Sequence, residues 1–363
     1  MRPMPVELEL SSPDAVRLSL ASALALQMRS GRFYRNVHNG CINLLLTYPE
    51  TCRVSCDYCG LARERASSPA VPVKAARRTP PNGRSFIRVE WPLAPTAEIL
   101  MRLSRRREAI RRVCLSMVVH PRAYPDTLTI VRQLTEARSG LPLSVLVAPP
   151  MINEARLREL QRAGVERIGI GLDAVNEPLF RRRRHGLAWP GYWRAVAAAR
   201  KVYGPDRVNC HLVVGLGETD AELIEVCFRL RAMQVSSYLF SFYPESGTPM
   251  AHARRPSLVR WRRLQLASFL IEQNSIQPEQ VVFDHQGRLA RLEVGLAELS
   301  SVLADGRPFV TRGCPGGNDE LACTRPFGSY RPGEPFRDYP FQPEPDDLQK
   351  IKEQLRLERL DLG

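Results

Sequence analysis

Cys41-Ile-Asn-Leu-Leu-Leu-Thr-Tyr48 runs through Pro49-Glu-Thr51 straight into Cys52-Arg-Val-Ser-Cys56-Asp-Tyr58-Cys59-Gly60. The first stretch is a short apolar run bounded by turn residues, which suits a buried strand better than a helix. The loop after it carries three cysteines within eight residues. No fourth cysteine or histidine stands at zinc-ribbon spacing, and a structural zinc site normally needs four protein ligands. An iron–sulfur cube held by three thiolates leaves one iron open, an arrangement that is useful when something must bind there.

The rest of the composition narrows the setting. The chain has 363 residues, 44% of them hydrophobic and 25% charged, so it can bury a full core and is not disordered throughout. No apolar run reaches the length of about 18 residues that a membrane helix needs. The greasy stretch at 18–28 is broken by Ser19, Ser22 and Gln27 and has no cationic lead, so a secretory signal is not expected. A cytoplasmic protein is the expectation. Nine cysteines in such a chain argue for metal or thiol chemistry rather than a disulfide framework. The net charge of +14 is carried by arginine, since only Lys74, Lys201, Lys350 and Lys352 are lysines. Scattered arginines suggest acidic partners without forming the stripe a nucleic acid would follow.

Along the chain, Ser12 and Pro13 read as the start of a helix over 16–28 that Gly31 ends. Residues 62–95 are rich in proline and arginine and read as an irregular insertion, with a strand at 85–91. Apolar runs at 113–119, 143–148, 167–172, 207–215 and 237–243 then alternate with helical stretches near 127–138, 154–163, 191–202, 220–233 and 258–272. Such alternation predicts parallel β/α units. With 41–48 as the first strand there are six, a partial (βα)6 barrel of the α/β class rather than the closed eightfold form. The organisation is then a helical extension at 1–40, the barrel at 41–275 and a segment at 276–363. Seven prolines between positions 315 and 345 leave that last segment poor in periodic structure, so it is expected to wrap over the barrel mouth.

The C-x3-C-x2-C loop after a first strand, with Tyr58 before its last cysteine, resembles the radical S-adenosylmethionine (SAM) superfamily. The resemblance implies a [4Fe-4S] cluster on Cys52, Cys56 and Cys59, SAM chelated at the open iron, and reductive cleavage to a 5′-deoxyadenosyl radical. Within the superfamily, Val208-Asn-Cys-His-Leu-Val-Val-Gly215-Leu-Gly217-Glu218-Thr looks like the fifth strand and turn of the biotin synthase group, and Gly171-Leu-Asp173 like its fourth-strand motif. Phe242-Tyr-Pro-Glu-Ser-Gly-Thr-Pro249 resembles the sixth-strand ending of the same group. By that likeness Tyr58 and Asp173 position SAM, and Gly215, Gly217 and Glu218 border its adenosine. Read from the residues alone, the alternative for Asp173 is a helix-capping carboxylate after the strand.

The cluster that biotin synthase carries inside its barrel lacks ligands here. Arg112-Val-Cys114 matches one strand, but Ser144 or Val145 and Asn209 stand at the other positions, and Cys210 is one residue off, on the opposite face. Cys114, Cys210 and Cys227 are therefore read as small core residues. Cys41, Cys314 and Cys323 differ, because thiols in a proline-rich tail are poor core fillers. Tyr48-Pro-Glu-Thr51 before the loop, Gly313-Cys-Pro315 and Arg325-Pro-Phe327 are similar to the subunits of the two-protein lipoyl synthase.

That similarity implies sulfur insertion into an octanoyl chain on a carrier protein, and an auxiliary [4Fe-4S] cluster on Cys41, Cys314 and Cys323, with Ser329 as a fourth candidate. It also implies as partners a lipoyl-domain or glycine-cleavage H-type carrier, a second radical SAM subunit and an electron donor, with no membrane or nucleic acid. The arginine run at 181–184 reads either as a solvated turn or as a dock for an acidic carrier. A hydrogenase- or pyrrolysine-type maturase, and a non-catalytic iron–sulfur or RNA-binding scaffold, stay open on the residues.

Overall fold

Apolar runs that alternate with capped helices have one economical packing, in which the strands lie side by side and the helices cover one face. The computed structural model, which describes residues 10–50, 52–62, 91–106, 108–137, 140–317, 320–323 and 335–356, has that architecture. Its strands are β1 (Ala15–Leu18), β2 (Cys41–Leu46), β3 (Ser55–Cys56), β4 (Leu93–Pro95), β5 (Arg112–Ser116), β6 (Leu143–Val147), β7 (Val165–Asp173), β8 (Arg184–His185), β9 (Val208–Val214), β10 (Ser236–Ser241), β11 (Val281–Phe283) and β12 (Leu289–Leu292). The main sheet runs β10-β9-β7-β6-β5-β2-β1-β4. From β2 to β10 all neighbours are parallel, which gives the six strands of the expected (βα)6 half-barrel.

The helices between these strands begin where the sequence offers a cap. Asn153, Asn176, Thr219 and Ser257 each accept a backbone N–H of the first turn, and Thr219 closes a capping box with Glu222. Strand β9 shows how the two faces are sorted. Cys210, Leu212 and Val214 are fully buried in the core, whereas Asn209, His211 and Val213 line a central cavity.

Two expectations change at the chain ends. Residues 15–18 are a strand, not the first turns of a helix, and they extend the sheet antiparallel to β2. The helix that follows is short, Leu20–Ala25, and Ser19 caps it. Ser12 instead receives the N–H of Thr47 at 3.0 Å, tying the entry of β1 to the end of β2. The strand expected at 85–91 lies, but for Trp91, outside the described residues.

The tail also differs from its reading. It forms the β11–β12 hairpin and the helices Leu296–Asp305 and Pro345–Leu355. Its cysteine segment reaches the amino ends of the strands, where Ala322 packs against Gly40 and Pro315 receives a hydrogen bond from Arg112. The cysteine segment therefore closes the floor of the barrel, while Arg337 further along the tail donates to Ser241 at the carboxyl end of β10 at 3.1 Å. Arg262, fully buried, donates to the carbonyls of Phe336 and Arg337 and anchors the last segment to the helix Leu258–Glu272. No helix among the described residues is long and apolar enough to cross a membrane.

At the end of β9 the chain turns through Gly215 (φ +110°) and Gly217 (φ +125°). A Cβ on Gly215 would lie 2.9 Å from Pro256 and 3.0 Å from Phe242, whereas on Gly217 the nearest side chain is 3.5 Å away. Both alanine variants carry backbone strain of roughly 1–3 kcal/mol, but only Gly215→Ala adds a clash. Thermal unfolding should therefore rank wild type above Gly217→Ala above Gly215→Ala.

Candidate active site

The three-cysteine loop leaves β2 at the carboxyl end of the sheet and is held in place from several sides. Strand β3 inside it pairs with β8, so that Cys56 stands opposite Arg184 and Ser55 opposite His185. The Asp57 N–H donates to the Arg183 carbonyl at 3.0 Å. Its carboxylate lies 2.8 Å from His185 Nε2 and accepts from Arg183 Nη1 at 3.2 Å. Met250 N–H donates to the Asp57 carbonyl at 3.1 Å.

Cys52, Cys56 and Cys59 open onto the same cavity of about 310 Å³. The Cys52 sulfur accepts from Val119 N–H and the Cys59 sulfur from Leu61 N–H, each at 3.4 Å. Burial pushes the Cys56 and Cys59 thiols above the usual range, so coordination must strip protons from them. Among the described residues no three His, Cys, Asp or Glu side chains gather round one point as the ligands of a single ion would. A cubane spreads its ligands, one to each iron corner, and three soft donors with N–H groups on two sulfurs fit it.

From within the loop, Tyr58 donates its hydroxyl across to Asp173 Oδ2 at 2.6 Å. Arg184 Nη1 lies 3.2 Å from the same oxygen and donates to the Leu172 carbonyl at 2.9 Å and to the Gly171 carbonyl. Its Nη2 donates to Tyr192 at 3.1 Å, and the guanidinium stacks on the rings of Tyr192 and Phe180. The Nε of Arg184 is buried without a hydrogen-bond partner among the described residues, and the side chain lines the cavity. Asp173 sits at φ +63°, and the following helix is capped by Asn176, so the helix-capping reading of Asp173 falls away.

The turn at 215–218 departs from its expected role. Glu218 accepts from the N–H groups of Gly215, Leu216 and Gly217 at 2.7, 2.9 and 3.1 Å, and from Arg260 at 2.8 Å. Its side chain is wholly buried, and neither it nor Gly215 nor Gly217 lines the cavity. Glu218 fastens the turn to Arg260 instead of reaching toward a ligand. The arginine run is likewise divided. Arg181 pairs with Glu177 on the surface, whereas Arg183 and Arg184 turn inward to the loop and cavity, which leaves no four-residue docking patch.

At the floor the structure brings together Cys41, Cys314 and Cys323. Cys41 is fully buried, and the neighbouring Cys323 and its own burial push its thiol well above the usual range. Asn209 Nδ2 lies 3.6 Å from the Cys314 sulfur. Cys114 joins them, which corrects its reading as core, because it lines the cavity beside Cys314 and Cys323 and is only half-buried. Cys210 and Cys227 are fully buried outside the cavity lining, as small core residues. Ser329 lies outside the described residues.

A model of the radical SAM superfamily matches residues 46–230, just over half of the chain. The chain belongs to the radical SAM superfamily. It therefore works with a [4Fe-4S] cluster and SAM, and its curated relatives include biotin synthases. That of Bacillus pumilus (strain SAFR-032) is 26% identical over 136 residues, covering 37% of this chain and 39% of that protein. That of Aquifex aeolicus (strain VF5) is 28% identical over 129 residues, covering 34% and 38%. The chain thus spans about two fifths of the length of the curated relatives it matches. Similar solved structures include methylornithine synthase, with TM-score 0.47 and 15% identity over 94% of this chain and 88% of that one. The [FeFe]-hydrogenase maturase of Carboxydothermus hydrogenoformans has TM-score 0.47 and 14% identity over 92% and 81%.

Of the residues that sequence reasoning missed in this radical SAM chain, Cys114 and Arg112 had a signal, since positions two apart on a strand share a face. Arg184 had none, because the contacts that define it are formed only in the fold. Replacing it tests how the site is held. Arg184→Met strands a largely buried Asp173 carboxylate and should lower stability by up to roughly 3–5 kcal/mol in denaturant unfolding. The double variant with Asp173→Asn should recover a large part of that loss.

Proposed function

We propose that this radical SAM protein inserts sulfur into an unactivated C–H bond of an octanoyl chain carried on a protein lysine. The observation that carries the reading is a single cavity with thiol groups at both ends and walls that include Leu45, Val118, Leu146, Val147, Phe240 and Phe242. Cys52, Cys56 and Cys59 hold the SAM-binding cluster. Cys41, Cys314 and Cys323 hold an auxiliary one.

When bound, these groups supply the one-electron chemistry that removes hydrogen from unactivated carbon and a sulfide source for the carbon left behind. The chain's own residues bind, orient and exclude. Tyr58, Asp173 and Arg184 line the mouth and would position SAM there. The apolar walls take up an extended acyl chain and keep water from a reactive carbon. Two unactivated C–H bonds must become C–S bonds, so a generator and a sulfur source are needed at one substrate.

The partners in this proposal are a lipoyl-domain or glycine-cleavage H-type carrier, a second radical SAM subunit and an electron donor. The net charge of +14 favours capture of an acidic carrier.

Anaerobically reconstituted protein with dithionite and SAM should release 5′-deoxyadenosine, and Cys56→Ala should abolish it. Incubation with an octanoyl-lysyl peptide, alone and with a partner subunit, should add one or two sulfurs by mass spectrometry. SAM cleavage with no sulfur added under any pairing would reject the proposal in favour of a maturase-like reaction. Turnover on an intact acidic carrier should fall as salt rises, while turnover on the short peptide changes little.

A further inference from the structure

We infer that Cys114 completes a four-thiolate site with Cys41, Cys314 and Cys323, so that an iron–sulfur cluster on the barrel floor is fully ligated without residue 329. The inference rests on the reading of the floor as an iron–sulfur site, but not on the identity of the substrate.

The strands place two of the thiols. In the parallel β2–β5 pair Cys41 faces Arg112 and Asn43 faces Cys114. The two cysteines thus stand on adjacent strands, two positions apart and on one face of the pleat. The tail places the other two. Cys323 N–H donates to the Cys314 carbonyl at 3.1 Å, which folds the segment back on itself. At Gly313 a Cβ would lie 2.6 Å from the Cys323 Cβ and 3.0 Å from its sulfur, so only glycine lets these two cysteines close on each other. Cys41 interacts with Cys323, Cys114 and Cys314, and Cys114 with both tail thiols, so the tail pair and the strand pair lie within reach of one another.

Around this set the barrel supplies what buried thiolates need. Arg112, with a side chain 1% exposed, donates to Ser144 at 2.7 Å, to Glu166 at 2.8 Å and to the Pro315 carbonyl. It is a fixed cation two residues from Cys114, and it offsets the negative charge of four thiolates away from water. Asn209, next to the Cys314 sulfur, keeps a buried Oδ1 without a hydrogen-bond partner among the described residues. Four thiolates satisfy the four corners of a [4Fe-4S] cluster, whereas the SAM loop supplies three.

The test isolates the floor by removing the other cluster. The full chain carrying Cys52→Ala, Cys56→Ala and Cys59→Ala is reconstituted anaerobically with iron and sulfide. It should retain about four irons per chain and a [4Fe-4S] signal by electron paramagnetic resonance after reduction. Adding Cys114→Ala should remove most of that iron or leave a three-iron signal, while adding Ser329→Ala or Cys210→Ala should leave both readouts intact.

Loading should also raise the melting temperature and protect the bond region 313–323 from protease, because the metal staples tail to barrel. Circular dichroism of the metal-free chains separates a lost ligand from a lost fold, and Cys114→Ser gives a second variant close to cysteine in size. Unchanged iron and signal in Cys114→Ala would overturn the inference. So would zinc in place of iron, a Cys41–Cys323 disulfide, or no metal at all in the triple variant. The SAM reading is judged separately, by 5′-deoxyadenosine from the wild type, and sulfur insertion by the mass of the peptide.

Discussion

The guanidinium of Arg184 holds the mouth of this barrel together. Burying a cation is unfavourable unless nearby groups compensate it. Here Asp173, two strand-end carbonyls, the Tyr192 hydroxyl and two aromatic faces provide it. The same residue sits in β8, whose only partner strand among the described residues is the β3 segment inside the cysteine loop. One side chain therefore couples the end of β7 to the spacing of Cys56 and Tyr58. Tyr58 closes the circuit through its bond to Asp173. The Cys56 end of the SAM loop is thereby tied to an ion pair across the cavity, alongside the hydrogen bonds that Asp57, Cys52 and Cys59 make.

That coupling explains which features the sequence disclosed. The six parallel strands were legible because buried strands read as short apolar runs and each following helix starts at a recognisable cap. The inward face of β9 was legible too, since a period of two separates Asn209 from Cys210. Residues 15–18 were not, because Ala15, Val16 and Leu18 would be equally at home on a buried helix face. Only the pairing with β2 decides. Glu218 was misread because nothing in a Gly-Leu-Gly-Glu string reports that the carboxylate folds back on three N–H groups of its own turn. Cys114 was misread for a different reason, since the thiols that give it company lie some two hundred positions later in the chain.

The two ends of a parallel sheet are chemically unlike. At the carboxyl ends the loops between strand and helix are free to carry function, and here the first of them carries three thiols. At the amino ends the connections return from helices, and a site there needs another part of the chain to build it. The tail supplies that part. Arg112 and Gly40 meet it through Pro315 and Ala322, and Gly313 gives it the room to place two sulfurs close together.

Strand length then becomes a chemical parameter. From Cys41 to Leu46 the chain advances roughly 17 Å at about 3.3 Å per residue, so floor and mouth stand apart by about the depth of the sheet. In the proposed reaction the carbon that loses hydrogen is the carbon that takes sulfur, so one carbon must come within reach of both the mouth and the floor, and the cavity lined by both sets of thiols is where it would be held. A flexible acyl chain would suit that cavity, because it can place a methylene carbon inside the barrel and away from water while its carrier stays outside.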